Sequence, residues 1–147
     1  MFTTKSEVNV YFKLVGDDFS IDEVTRLLDL TPTEFYKLGE TREPSKRPST
    51  FTAWMIGTGY QPSFDVNDQL KQIIKTLNGK ELILDQLYQT YENLQAKFVI
   101  VIVIEDGQAP ALVIDTDTIQ FAHRIQAEFD IDLYANPYEE DDFFDET

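Results

Sequence analysis

The chain contains no cysteine, so a disulfide framework and a thiolate zinc site are both excluded, and nothing demands an oxidising compartment. Histidine occurs once, as His123, so a nucleophilic triad with an imidazole base could be built only there. No serine sits in a G-x-S-x-G elbow, and neither G-x-x-x-x-G-K-[ST] nor a G-x-G-x-x-G after a strand is present, which leaves nucleotide binding without support. Basic residues are scarce: 12 Lys and Arg stand against 27 Asp and Glu, a net charge of −15. Such a field repels phosphate backbones and anionic lipid, so neither nucleic acid nor membrane is expected as a partner. The longest apolar run, Phe98 to Ile104, is seven residues, far short of the ~20 that span a bilayer. MFTTKSEVN shows no basic segment leading into an apolar one, so no signal peptide is expected and the cytoplasm is the expected compartment.

What is there suffices for a fold. With 147 residues, 42% hydrophobic and 13% aromatic, the chain is the size of one domain and can bury roughly 68–70% of its unfolded surface. Val8 to Leu30 states a strand, a turn and a helix in local chemistry. Val8, Val10, Phe12 and Leu14 alternate with Asn9, Tyr11 and Lys13, the period of a strand with one strongly apolar face. Gly16-Asp17-Asp18 breaks the strand. Ser20 and Glu23 are spaced as a capping box and Phe19 and Val24 as a hydrophobic staple, opening a helix that Thr31-Pro32 stops.

Residues 31–50 hold three prolines and no sustained periodicity, and read as a long loop. Lys37, Arg42, Lys46 and Arg47 outnumber Glu34, Glu40 and Glu43 there, the one stretch where the charge balance inverts. Phe51 to Thr58 returns to strand chemistry and carries Trp54, the only tryptophan. Ser63 or Asp65 caps a helix with Val66, Leu70, Ile73, Ile74 and Leu77 on one stripe, closed by Asn78-Gly79, and a second helix follows from about Lys80. Phe98 to Ile104, FVIVIVI, reads as a central strand buried on both faces. Pro110 to Ile114 suggests a short strand, and Asp115 or Thr116 opens a helix expected to turn Ile119, Ala122, Ile125 and Phe129 inward. Asp130 to Ala135 is the last strand.

These elements predict an α+β fold: a ferredoxin-like split βαβ duplication with two additional helices between the halves. Residues 1–136 form the expected single domain, and 137–147 an acidic, disordered tail with six acids in its last ten residues. The two-sided apolarity of Phe98 to Ile104 predicts a cover on the second sheet face, either an extra helix or a second subunit.

Several features together resemble a bacterial family known as a domain of unknown function, DUF4279. They are the opening strand running into Gly16-Asp17-Asp18-Phe19, the helix ending Leu28-Asp29-Leu30-Thr31-Pro32-Thr33, Lys37 and Gly39 in the loop, Trp54, and the closing Asp130-Ile131-Asp132-Leu133-Tyr134. The resemblance implies a compact intracellular bacterial domain and no particular activity, cofactor or catalytic residue.

Among candidate functional residues, His123 follows the inward Ala122 and flanks the core rather than a site. Asp17 with Asp18, Asp115 with Asp117 and Asp130 with Asp132 are carboxylate pairs, but none continues into a calcium loop, and no metal or other cofactor is expected. Tyr11, Trp54 and Tyr134 are expected on one sheet face, opposite the main core. Lys37, Arg42 and Arg47 could form an anion site beside it, and Phe143-Phe144 are apolar residues within the acidic tail. The charge favours a non-catalytic protein-binding domain with a basic protein partner, in one form an immunity or inhibitor protein occupying the cationic groove of a toxin. Two other readings compete with it: a sensor or enzyme holding a small anionic metabolite with Trp54 and the 37–47 loop, and a homodimeric scaffold joined through the sheet.

Overall fold

The alternation at the N-terminus becomes the strand β1, Glu7–Gly16, whose Val8, Val10, Phe12 and Leu14 are completely buried. Helix α1, Ile21–Leu28, follows, and Ser20 Oγ accepts the Glu23 N–H at 3.1 Å as the cap. Only that half of the expected box is seen, because the Glu23 carboxylate accepts a hydrogen bond from the Tyr91 hydroxyl at 2.8 Å. The remaining elements are β2 (Glu34–Tyr36), β3 (Thr52–Gly57), β4 (Gln61–Pro62), α2 (Val66–Leu77), α3 (Glu81–Thr90), β5 (Gln95–Ile104), α4 (Thr116–Arg124) and β6 (Ala127–Ala135). The structure is a computed structural model that describes residues 4–41 and 47–137. Arg42, Lys46, Phe143, Phe144 and the expected tail beyond residue 137 lie outside the described residues. No helix among the described residues is long and apolar enough to cross a membrane.

Among the described residues, six strands and four helices make a mixed α+β fold. The strand order is β2-β3-β1-β5-β6, with β4 also pairing β1; all neighbours are antiparallel except β5 and β6. The crossover from β1 through α1 to β2 leaves β3 between the two strands, whereas the strand expected to close that unit, Phe51 to Thr58, is β3 itself and pairs directly with β1. The crossover from β5 through α4 to β6 leaves no strand between, since these strands are direct neighbours, and the last segment therefore differs from a second split unit.

All four helices bury their apolar stripes against one sheet face in a single cluster. Val8, Val10, Phe12 and Leu14 of β1 meet Trp54 of β3 and Ala96, Phe98, Ile100 and Ile102 of β5 there. Phe98 stacks on Phe129 of β6 with centroids 5.5 Å apart and meets Phe12 at 5.6 Å in a tilted arrangement. On the other face of β5, Val99 and Val101 are only 4% and 8% exposed. They need no helix or second subunit to cover them. The register sets Val99 between Tyr11 and Asp130, and Val101 between Asn9 and Asp132, so the short branched side chains lie below longer neighbours.

Three further expectations are corrected. The 31–50 segment contains β2, three residues whose pairing with Met55, Trp54 and Ala53 comes from β3 rather than from any periodicity of their own. Pro110 to Ile114 is not a strand and contributes one isolated bridge, Ala111 with Asp65. Ile119 is 52% exposed: α4 ends at Arg124 and turns Thr118, Ala122 and Ile125 inward, which points Ile119 away from the core. Phe129 does face the core, but from β6.

Asp115 caps α4 through the Thr118 N–H and pairs with Lys71 of α2 at 2.9 Å. The backbone hydrogen bond from Thr118, first, and the Lys71 ammonium, next, hold its carboxyl well below the usual range. A carboxyl depressed in the folded state contributes stability that is fully present above its unfolded pKa of about 3.9 and fades as pH falls toward the folded value. Asp115→Asn is therefore expected to lower the urea midpoint at pH 7, and the gap from the parent chain should close in acid. A gap that stays constant across that range would show that the carboxylate charge contributes nothing.

Candidate functional site on the open sheet face

The side chains of β1 that point away from the helices are Asn9, Tyr11 and Lys13, and register fixes what surrounds them. Tyr11 lies opposite Gly57 of β3 on one side and Val99 of β5 on the other. Gly57 is needed at that place. A Cβ there would stand 2.7 Å from the Tyr11 Cβ and 3.2 Å from the Val10 carbonyl oxygen, so any larger residue would displace the tyrosine. Beyond Gly57 the chain turns through Gly59, whose φ is +73°, and brings Tyr60 up beside the sheet. On the far side of β3, Thr33 donates its N–H to the Met55 carbonyl at 2.8 Å and leads Glu34 and Tyr36 of β2 into place.

Together these residues line a groove of about 890 Å³. Its floor is Tyr11, Asn9 and Met55; Tyr36, Tyr60 and Glu34 form walls, and Lys13 lies at the β1 side. The Tyr36 hydroxyl donates to Glu34 Oε1 at 2.7 Å, which orients both. Asn9 Oδ1 is buried at the floor without a hydrogen-bond partner among the described residues. Burial first, then the charge of Asp132, and after it Tyr36, Glu34 and Tyr60, push the Tyr11 phenol above its usual range. It therefore keeps its proton at neutral pH and donates rather than acting as a base. Three π-faces beside two carboxylates make an environment suited to a cation: ammonium and guanidinium groups are drawn to ring faces within about 6 Å and to carboxylate oxygens.

The residues singled out in the sequence separate in space. Tyr11 is in the groove. Tyr134 shares its sheet face and is 56% exposed, but stands on β6, outside the lining. Trp54 is not on that face. It is completely buried among the helices, its Nε1–H donating to Thr25 Oγ1 at 3.1 Å, because its register with Leu14 sets it on the core side. Lys37 is exposed, lies over the Phe35 ring at 5.8 Å, and lines a smaller 280 Å³ cavity. That cavity also holds Asp18 and Asp22, whose carboxylates oppose an anion. Arg47 is exposed and Arg42 lies outside the described residues. His123 is exposed in the last turn of α4. Among the described residues, no group of three or more His, Cys, Asp and Glu could hold a metal ion.

Sequence reasoning missed Asn9, Glu34, Tyr36 and Tyr60 as groove residues. The one available signal was Glu34-Phe35-Tyr36 after Pro32, a short run of strand-forming residues in an otherwise polar loop. No curated protein and no solved structure matches the chain. The sequence profile of the domain of unknown function DUF4279 matches residues 6–136, most of the chain and every element of the fold, and the chain belongs to that family.

Proposed function

We propose that this protein is a non-catalytic binding domain for a protein with a basic surface, and that the tyrosine groove receives a lysine or arginine side chain of that partner. The observation that carries the reading is the convergence of Tyr11, Tyr36, Tyr60 and Glu34 in one groove, with the charge of Asp132 reaching Tyr11, on a sheet face that none of the described helices covers. The net charge of −15 supports it, because a long-range negative field speeds encounter with a basic surface. An immunity or inhibitor protein acting in the cytoplasm is one concrete form. The domain would then be a ferredoxin-like scaffold, its split β1-α1-β2 crossover forming one half and β6 an added strand, with the acidic residues after 137 extending the negative surface. The small-anion reading has lost Trp54 to the core and carries acids beside Lys37.

Calorimetry and amide NMR with acetyl-tetraarginine amide test this. Heat of binding with shifts at the Gly57 and Gly59 amides is expected, and Tyr11→Ala should weaken the affinity about tenfold, the scale of a partly desolvated cation–π contact with its carboxylates. Tetraglutamate should give neither. Binding of a phosphorylated sugar that is lost in Arg47→Ala, with no response to tetraarginine, would overturn the reading in favour of the anionic metabolite.

A further inference from the structure

The sheet has two ends and they are not alike. Among the described residues, β2 closes one end with three residues, whereas β6 closes the other with nine and has a single neighbour, β5. The Asn136 N–H donates to the Ile104 carbonyl at 2.9 Å, and alternate residues of a parallel strand bond to the same side. The even-numbered amides of β6 therefore turn toward β5, and those of Phe129, Ile131 and Leu133 turn away from it. Bare strand edges of this length are templates for another strand.

The side chains say what kind of strand fits. On the helix side of the sheet, β6 presents Ile131 at 43% exposure and Leu133 at 62%, next to α4, whose Ile119 is 52% exposed. On the open side it presents Glu128, Asp130 and Asp132, all exposed. Asp130 is met by Lys97 at 3.3 Å, whereas Asp132 and Glu128 have no ion-pair partner among the described residues. A second copy of this strand would bring acid row against acid row, which is unfavourable for directly opposed pairs. A strand with basic residues on one face and apolar residues on the other matches both rows at once, in either direction, because the period is two.

We infer that β6 is a docking edge for an extended segment of a partner protein in which Lys or Arg alternates with apolar residues, added to the sheet as its next strand. Main-chain hydrogen bonds to the amides of Phe129, Ile131 and Leu133 supply affinity, and the acidic and apolar rows supply register and selectivity. This goes beyond the groove reading and stands without it, since it uses the amides of a different edge; Asp132, whose charge also reaches Tyr11, is the one residue named in both.

The test uses the full chain and a synthetic peptide of alternating lysine and valine, against one of identical composition with the lysines and valines in two blocks. Hydrogen exchange at Phe129, Ile131 and Leu133 is expected to slow at least tenfold with the alternating peptide and to be unchanged by the block peptide. Asp130→Asn with Asp132→Asn, both exposed positions, should weaken the alternating peptide about tenfold at low salt, an advantage that high salt removes. Absence of protection at these three amides, or equal protection by both peptides, overturns the inference even if the tyrosine groove responds to arginine. Protection without peptide that rises with protein concentration and doubles the sedimenting mass overturns it in favour of self-pairing. Protection without peptide that vanishes when the chain is cut after Pro137 overturns it in favour of the chain's own C-terminal segment.

Discussion

Trp54→Ala is expected to remove about 3–5 kcal/mol of stability, a large part of the 5–15 kcal/mol that holds a domain of this size together. The indole is completely buried where α1 crosses β3, so its deletion leaves a void walled by strand and helix backbone that cannot collapse fully. A polar consequence adds to it. Thr25 Oγ1 donates to the Ile21 carbonyl at 2.8 Å and accepts from the indole N–H, so losing the ring leaves that acceptor lone pair unmatched. Urea unfolding should show a lower midpoint with an unchanged slope, and Trp54→Phe should recover most of the loss, falling short by about 1 kcal/mol for the missing N–H. A variant as stable as the parent, with binding alone impaired, would return the indole to the functional surface.

Phe98→Ala is expected to cost a similar amount, about 3–5 kcal/mol, but to distribute it differently. Phe98 is fully buried between Phe12 on β1 and Phe129 on β6, so it ties an inner strand to the outermost one. Its removal takes the stacking partner from Phe129, one of the few β6 side chains packed against the core. Exchange should accelerate first in the β6 amides bonded to β5 and only later in β1 and β3, where Trp54→Ala should accelerate all three together. Uniform acceleration in both variants would show that β6 opens only with the whole domain.

Local chemistry made much of the fold legible. The Ser20 cap, the α2 stripe from Val66 to Leu77 and the parity of β1 follow from short-range geometry, and each is seen. The misplaced Trp54 shows the limit. β3 is apolar on both faces, Ala53 and Met55 on one and Trp54 and Ile56 on the other, so its alternation fixes which residues share a face but not which face the helices choose. That choice is made by pairing with Leu14. The groove was illegible for a related reason: its walls come from β1, β2, β3 and the Gly59 turn, and only register brings Tyr36 and Tyr60 to Tyr11.

The position of β6 also sets an order of events during synthesis. β5 emerges from the ribosome as FVIVIVI, a run with the composition of an aggregating segment, and one of its two edges is covered at once by β1, already made. The other edge waits for the 31 residues from 105 to 135, because a parallel neighbour must be reached by way of α4. At a few residues per second that wait lasts some seconds, roughly two to six at 5–20 residues per second. A nascent chain halted between α4 and β6 would present a folded body with the most adhesive strand of the molecule open along one side. β6 is thus the strand that takes the molecule's most aggregation-prone segment out of reach of other chains.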